Sequence, residues 1–498
     1  MEPTWIPGPG RVPEFYDARI ASYYRVLAWK QPFEVIGEEL EQEGVENNRA
    51  TRLTREREAW EEDQDFREWW GEILQDSPFL HLDDELWDAV LQQQGTTLEY
   101  PPGWRDDTID PQVLILRGPD ELPWLPRLAN MSTKVYRVGV IGYGLSAKIF
   151  HIPFVNDVSD FKLYAIVQRS PKPDDDAAKD WPGVKVYRSA EELIADPDVD
   201  VVVVTTAPVS HFELAKKAIE NGKHVIVEKP FTPTSKEAFE LAELAKSKGV
   251  LVTVYQNRRW DQDFLTLKKI LADGSLGRVV EFNTFFDRHR PEPKAQARWQ
   301  DVQSPGTGAV YDLGTHLIDQ AVALFGIPSS ITGFTGRQRK GQGKESSDDS
   351  FTAILRYQTD EDEEGELGLT VVAKAAVISC EEKQLRYWVR GEKGSWKKWG
   401  LDTQEDQLRQ GLRPGAEGYG IEVEPGVLTT SDNQGEISST RVKGVEPKTY
   451  SEFYRKFAAA LNGAKDEIPV DATTAAEVIK LVELVRESSY QRRTLDVK

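Results

Sequence analysis

The feature that most constrains this chain is the rhythm between Val135 and Tyr255, where short apolar runs alternate with amphipathic stretches. At its centre lies Val201-Val202-Val203-Val204-Thr205. Consecutive β-branched residues favour a strand. Side chains alternate across a strand, so a run with no polar face must be covered on both sides, as in a parallel sheet between helices. The surroundings agree. Further strands are predicted at Val135–Ile141, Phe161–Val167, Val184–Tyr187, Val225–Val227 and Leu251–Tyr255. Helices are predicted at Ala147–Val155, Ala190–Ala195, His211–Asn221 and Ser235–Lys248, with Gly222 and Gly249 placed to end the last two. Strand and helix in alternation is the order of a doubly wound α/β domain.

After Tyr255 the rhythm changes. Helical patterns at Asp263–Asp273, Asp312–Phe325, Tyr450–Leu461 and Thr473–Ser489 are separated by longer strand candidates, among them Arg278–Phe286, Phe351–Tyr357, Leu367–Ala373 and Gln384–Val389. Long strands with few helices between them predict an α/β domain built on a large open, mostly antiparallel sheet covered on one face. Before Met131 the texture differs again. Residues 1–130 hold eight of the fourteen tryptophans, and 28 of the 83 acidic residues against 12 of the 62 Lys and Arg, so most of the net charge of −21 lies there. The expected organisation is an acidic, tryptophan-rich helical extension of unassigned role over 1–130, a Rossmann domain over 131–255, and a second α/β domain over 256–498.

Several functional classes are disfavoured. No apolar run approaches the ~20 residues that span a bilayer, and no basic, then apolar, secretory signal opens the chain. Clustered cations for nucleic-acid phosphates are missing from so acidic a composition. Cys380 is the single cysteine, which excludes an intramolecular disulfide and a cysteine-cluster metal site. A reducing compartment, the cytoplasm, is expected, with no metal, no membrane and no nucleic-acid partner.

The segment Val138–Ala147 follows a strand and opens a helix with the spacing Gly142-x-Gly144-x-x-Ala147. This is the dinucleotide fingerprint in its required context. Gly142 permits the tight turn, Gly144 lets the backbone approach a pyrophosphate, and Ala147 keeps helix and strand close. Tyr143, Leu145 and Ser146 complete the loop, and the helix N-terminus presents free N–H groups to phosphate. A carboxylate about 20 residues on would bind a ribose diol. That place reads Gln168-Arg169-Ser170, so Arg169 and Ser170 are assigned to the 2′-phosphate of NADP, with NAD as the alternative.

Chemistry-bearing residues fall in two further segments. Lys229, in Glu228-Lys229-Pro230, ends a predicted parallel strand, the edge at which open α/β sheets bind ligands. Asp312 and His316 stand four apart, on one face if that stretch is helical. An ammonium, a carboxylate and an imidazole suit a reaction in which a base takes a hydroxyl proton as hydride leaves the same carbon. Arg258, Arg259 and Trp260, and likewise Arg298 and Trp299, read either as the lining of a polyol pocket or as salt bridges and core aromatics; Arg259, Trp260, Arg298 and Trp299 are carried as substrate candidates.

From about 134 to 498 the chain resembles the Gfo/Idh/MocA family of oxidoreductases. The likeness rests on the Gly142 loop, Thr205-Thr206-Ala207-Pro208 with His211, Gly222-Lys223-His224, Glu228-Lys229-Pro230 and Asp312-x-Gly314-x-His316-x-x-Asp319. Within the family it is most similar to an NADP-dependent scyllo-inositol dehydrogenase branch, through Asn257–Asp261, Ala297–Trp299 and Gln404-Glu405-Asp406. The resemblance implies that Lys229 contacts cofactor and substrate and that Asp312 and His316 serve proton transfer. It adds Thr205, Thr206, His211 and Glu228 to the cofactor contacts. It also implies a homo-oligomer formed through the second sheet and a cyclic polyol or sugar, inositol-like, as substrate. Residues 1–130 have no counterpart in the family pattern. A regulator that binds NADP and senses redox state on the same scaffold is the alternative function, since fold alone does not separate the two.

Overall fold

The computed structural model describes residues 134–292, 302–343, 345–358, 368–432 and 434–497. The readings made above for residues 1–130, and for Arg298 and Trp299, lie outside the described residues.

The first sheet has six parallel strands: β1 (Tyr136–Ile141), β2 (Phe161–Val167), β3 (Lys185–Tyr187), β4 (Val201–Val204), β5 (His224–Val227) and β6 (Val252–Val254). They lie in the order β3-β2-β1-β4-β5-β6. The order reverses between β1 and β4, which opens a crevice at the carboxyl ends of the strands. The valine run predicted to need cover on both faces receives it. Val201–Val204 are fully buried, paired with Val138–Ile141 on one side and His224–Val227 on the other. Helices α1 (Ile152–Val155), α2 (Ala177–Asp180), α3 (Ala190–Ala195), α4 (His211–Glu220) and α5 (Ser235–Lys248) fill the connections. Capping boxes start α3 at Ser189 with Glu192 and α5 at Thr234 with Glu237, each satisfying backbone donors the first turn leaves free. Gly249, at φ +66°, ends α5.

The second sheet has nine strands, in the order β14-β13-β12-β11-β7-β10-β9-β8-β15. They are β7 (Val279–Phe285), β8 (Ser330–Gly336), β9 (Ser350–Tyr357), β10 (Leu369–Ala375), β11 (Leu385–Gly391), β12 (Gly394–Trp399), β13 (Gly426–Ser431), β14 (Ile437–Val442) and β15 (Leu495–Asp496). Among the described residues of this sheet, only β7 and β10 pair in parallel. Of the remaining helices, α6 (Gln262–Ala272), α7 (Thr315–Phe325), α8 (Gln404–Arg409), α9 (Ser451–Leu461) and α10 (Ala472–Gln491), α7 and α10 cover one face. Their Leu317, Ile318, Val478 and Val482 bury against Phe282, Val371 and Tyr387. Along β9 and β10 the alternate residues Ile354, Thr370 and Val372 face away and are only partly buried.

After β14 the chain crosses back. Tyr450, Phe453, Tyr454 and Phe457, at the start of and along α9, join the core of the parallel sheet beside Phe154, Phe161 and Tyr255. The sheets divide near residue 255, but the cores do not.

Candidate active site

The glycine loop is pinned between β2 and β4. Gly142 N–H donates to Val167 O at 3.2 Å, and Thr205 N–H donates to Ile141 O at 3.1 Å. Gly142 has φ +106°, and a Cβ there would meet Thr205 Oγ1 at 2.8 Å, so both conformation and space require glycine. At Gly144 an added Cβ would meet nothing within 4 Å. That open side faces a cleft of about 1360 Å³, lined also by Leu145, Ser146, Thr205 and Thr206.

The helix expected from Ala147 begins differently. Ala147–His151 form a π-turn, closed by Ile152 N–H on Ala147 O, before α1. Pro153 has no N–H for an ordinary helical bond to residue 149, which favours the wider turn. The turn carries His151 into the interior. Its Nδ1 is 2.7 Å from the Tyr454 hydroxyl and its Nε2 is 3.1 Å from Glu228 Oε1. Ser146 Oγ donates to the same carboxylate oxygen, and Lys229 N–H donates to Glu228 Oε2 at 2.9 Å. Burial alone would raise the Glu228 carboxyl. The His151 and Ser146 hydrogen bonds and the Lys229 charge bring it down to about 2. Glu228 thus ties the loop after β1 to the end of β5.

Other residues predicted to bind cofactor support the loops from behind. Tyr143 is buried, donates to Asp180 at 2.6 Å and accepts from Trp181 Nε1 at 3.1 Å. Ala147 is fully buried. His211 spans the loops after β4 and β5, with Nε2 at 2.9 Å from Thr206 O and Nδ1 at 2.9 Å from Pro230 O. None of these three lines the cleft. At the end of β2, Arg169 is exposed and does line it, whereas the adjacent, exposed Ser170 does not. Gln168, at the place of the missing carboxylate, is consumed locally: Oε1 accepts from Ala177 N–H and Nε2 donates to Asp175 O, both at 2.8 Å.

Lys229 follows β5 at the carboxyl edge of the parallel sheet. Its Nζ donates to Asp312 Oδ1 at 2.9 Å and to Asp312 O at 3.0 Å. Asp312 sits in a second π-turn, Val310–Gly314, which leads into α7 where His316 is the second residue. The three residues share the cleft lining. The carboxylate engages Lys229, and buried His316 Nδ1 has no hydrogen-bond partner. Its ring packs edge-on against Phe286 at 6.1 Å. Burial first, then the charges of Lys229, Arg258, Arg386 and Arg288, hold His316 well below the ordinary histidine range. It is therefore neutral at neutral pH, with a free nitrogen.

The Arg–Arg–Trp segment divides. Arg259 forms a two-bond pair with Asp319, Nε to Oδ2 at 2.8 Å and Nη2 to Oδ1 at 2.7 Å. Trp260 is buried edge-on to Phe453 at 5.6 Å. Neither lines the cleft, so the pocket-lining alternative does not describe them. Arg258 does line it, held by Glu405 at 2.7 Å and the Tyr450 hydroxyl at 3.2 Å. Phe286, Arg288 and Arg290 complete this wall. Sequence reasoning passed over them, although Asp287-Arg288-His289-Arg290, dense in charge at a strand end, was a visible signal.

Comparison with known proteins accords with this architecture. A family model described as an oxidoreductase family, NAD-binding Rossmann fold, matches residues 136–256. A second, described as the C-terminal alpha/beta domain of an oxidoreductase family, matches residues 268–497. The uncharacterized oxidoreductase YdgJ of Escherichia coli (strain K12) is 41% identical over 359 residues, covering 72% of this chain and 98% of that protein. The scyllo-inositol 2-dehydrogenase (NADP(+)) IolW of Bacillus subtilis (strain 168) is 36% identical over 362 residues, covering 72% and 95%. The crystal structure of an oxidoreductase from Bacillus cereus superposes with a TM-score of 0.64 at 29% identity, covering 73% of this chain and 99% of that one.

Proposed function

Because the chain belongs to the Gfo/Idh/MocA family of oxidoreductases, we propose that it is an NADP-preferring dehydrogenase or reductase acting on the CH–OH carbon of a cyclic polyol or sugar, an inositol-like ring being favoured. The observation that carries this reading is the conjunction in one cleft of the glycine loop, the Lys229–Asp312 pair and a buried, neutral, unpartnered His316.

The loop residues suit a dinucleotide. Gly144 leaves open the space a side chain would fill, and Arg169 supplies a cation where a 2′-phosphate is expected. A nicotinamide held there supplies the hydride acceptor for oxidation or the donor for reduction. The chain's own side chains then manage the oxygen and its proton. His316, neutral, accepts the hydroxyl proton as the carbonyl forms. Lys229 has two of its three N–H bonds committed to Asp312, which leaves one for the substrate oxygen and offsets negative charge developing there. Asp312 fixes the direction of the ammonium. A cofactor-sensing regulator would need the loop but not this proton-handling set.

Within the same reading, the face of the nine-stranded sheet opposite α7 and α10, where Phe334 is 58% exposed, is assigned to contact between copies of the chain. The activity is tested by following nicotinamide reduction with NADP and NAD across inositols, aldoses and anhydro-sugars. Absence of turnover with every ring polyol and sugar, in both directions, would overturn the assignment.

A further inference from the structure

One wall of the cleft hands no proton to or from the substrate in this scheme. Past Phe285, β7 continues as extended chain: the N–H groups of Phe286, Arg288 and Arg290 donate to Lys374 O, Ala376 O and Val377 O at 2.9, 2.8 and 2.8 Å. Alternate side chains of extended backbone emerge on one side. Phe286 packs against His316, and Arg288, two residues on, is close enough for its charge to act on His316. Both Arg288 and Arg290 line the cleft.

Apart from Arg169 at the end of β2, these two guanidiniums differ from the other Lys and Arg side chains that line the cleft. Lys229 is paired with Asp312, Arg258 and Arg409 with Glu405, and Lys383 with Glu424. Among the described residues Arg288 and Arg290 form no ion pair. The acids whose charge acts on Arg288 are Asp312 and Glu405, and both are engaged by those partners. Burial and the adjacent Arg290 charge pull the Arg288 guanidinium below its ordinary value, with Asp312 and Glu405 only partly compensating. Two like charges, one of them largely withdrawn from water, are costly side by side until an anion joins them. A guanidinium presents its donors as a planar fork that matches the paired oxygens of a carboxylate or phosphate.

We propose that Arg288 and Arg290 form an anion subsite, so that the substrate is a ring polyol or sugar bearing a carboxylate or a phosphate away from the carbon that exchanges hydride. The proposal rests on the dehydrogenase reading of the cleft and narrows its substrate class. The neutral part of the ring then faces Lys229 and His316, and the charged substituent faces the β7 extension.

The test is calorimetric titration of the full chain, saturated with NADP, with D-glucuronate, D-glucose 6-phosphate and D-glucose. One of the two anionic probes is expected to bind roughly tenfold or more tightly than glucose, as charge-assisted hydrogen bonds imply. Preference for glucuronate assigns a carboxylate, and preference for the 6-phosphate assigns a phosphate. Arg288→Met should erase the preference, and Arg290→Met, at an exposed position, should reduce it. Unaltered NADPH affinity in both variants shows that they are folded. Equal affinity for glucose, failure of both anions to bind, or a preference that survives Arg288→Met overturns the subsite. Titration needs no turnover, so the two readings fail separately. Arg288-dependent anion binding without oxidation of any ring substrate would leave the subsite and remove the reaction. Turnover of neutral inositols with no anion preference would do the reverse.

Discussion

Lys229 and Asp312, 83 positions apart, meet through two bonds from one ammonium, to the carboxylate oxygen at 2.9 Å and the main-chain carbonyl oxygen at 3.0 Å. The double contact sets the direction in which the remaining N–H points, because the carbonyl is fixed by the π-turn that carries it. A lysine held by a carboxylate alone would swing with that side chain.

Lys229→Met is accordingly expected to lower kcat by about 10²–10³, the usual cost of removing one donor to an oxygen that gains negative charge in the transition state. NADPH binding should remain measurable, because the loops that would hold it are fixed by Glu228 and His211 rather than by the ammonium. Asp312→Asn keeps the carbonyl contact and should lose less. Single-turnover absorbance of the reduced nicotinamide, with a parallel NADPH fluorescence titration, separates the two effects.

The pH dependence follows from His316. Only its neutral form accepts a proton, and burial together with Lys229, Arg258, Arg386 and Arg288 holds its protonation below the ordinary range. In the oxidative direction kcat/KM should therefore stay level as pH falls through ~6.5, where a free histidine is half protonated, and decline only in more acid solution. His316→Asn should remove that acid limb along with most of the rate. An acid limb that is unchanged in the variant would assign the proton to another group.

In the proposed reading, cofactor choice turns on Arg169. Arg169→Asp should weaken NADP by roughly 10- to 100-fold, the worth of a charge-assisted hydrogen bond of about 1.5–3 kcal/mol, and favour NAD. Michaelis constants for the two cofactors in wild type and variant measure this directly.

Arg259 gives the opposite kind of prediction. Its side chain is 17% exposed and Asp319 is 2% exposed, so Arg259→Met leaves a carboxylate buried without its partner. A loss of about 3–5 kcal/mol in denaturant unfolding is expected. A substrate-binding arginine would instead raise KM at unchanged stability.

Much of the fold was legible because burial imposes periodicity. Phe161–Val167, Ala190–Ala195 and Ser235–Lys248 form as predicted, and the valine run of β4 needed cover on both faces wherever it lay. Strands β12 to β14 were not predicted. In β14, Ile437–Thr440 are exposed, so no alternation marks an inner face. The π-turns at Ala147 and Val310 also escaped notice, since each departs from helical spacing by one residue for reasons of local backbone and packing. The catalytic candidates were identifiable from type and order, but not their pairing. Asp312 serves Lys229, and Asp319 serves Arg259 60 positions away, so contact between distant segments decides which acid meets which base.

The most direct test of the account is deuterium transfer from a ring polyol labelled at the carbinol carbon, incubated with NADP and the full chain. Deuterium is expected at the nicotinamide ring, with a primary isotope effect on single turnover and loss of transfer in Lys229→Met/His316→Asn despite retained NADPH binding. Transfer by that double variant at the wild-type rate, or reduced nicotinamide free of the label, would contradict it.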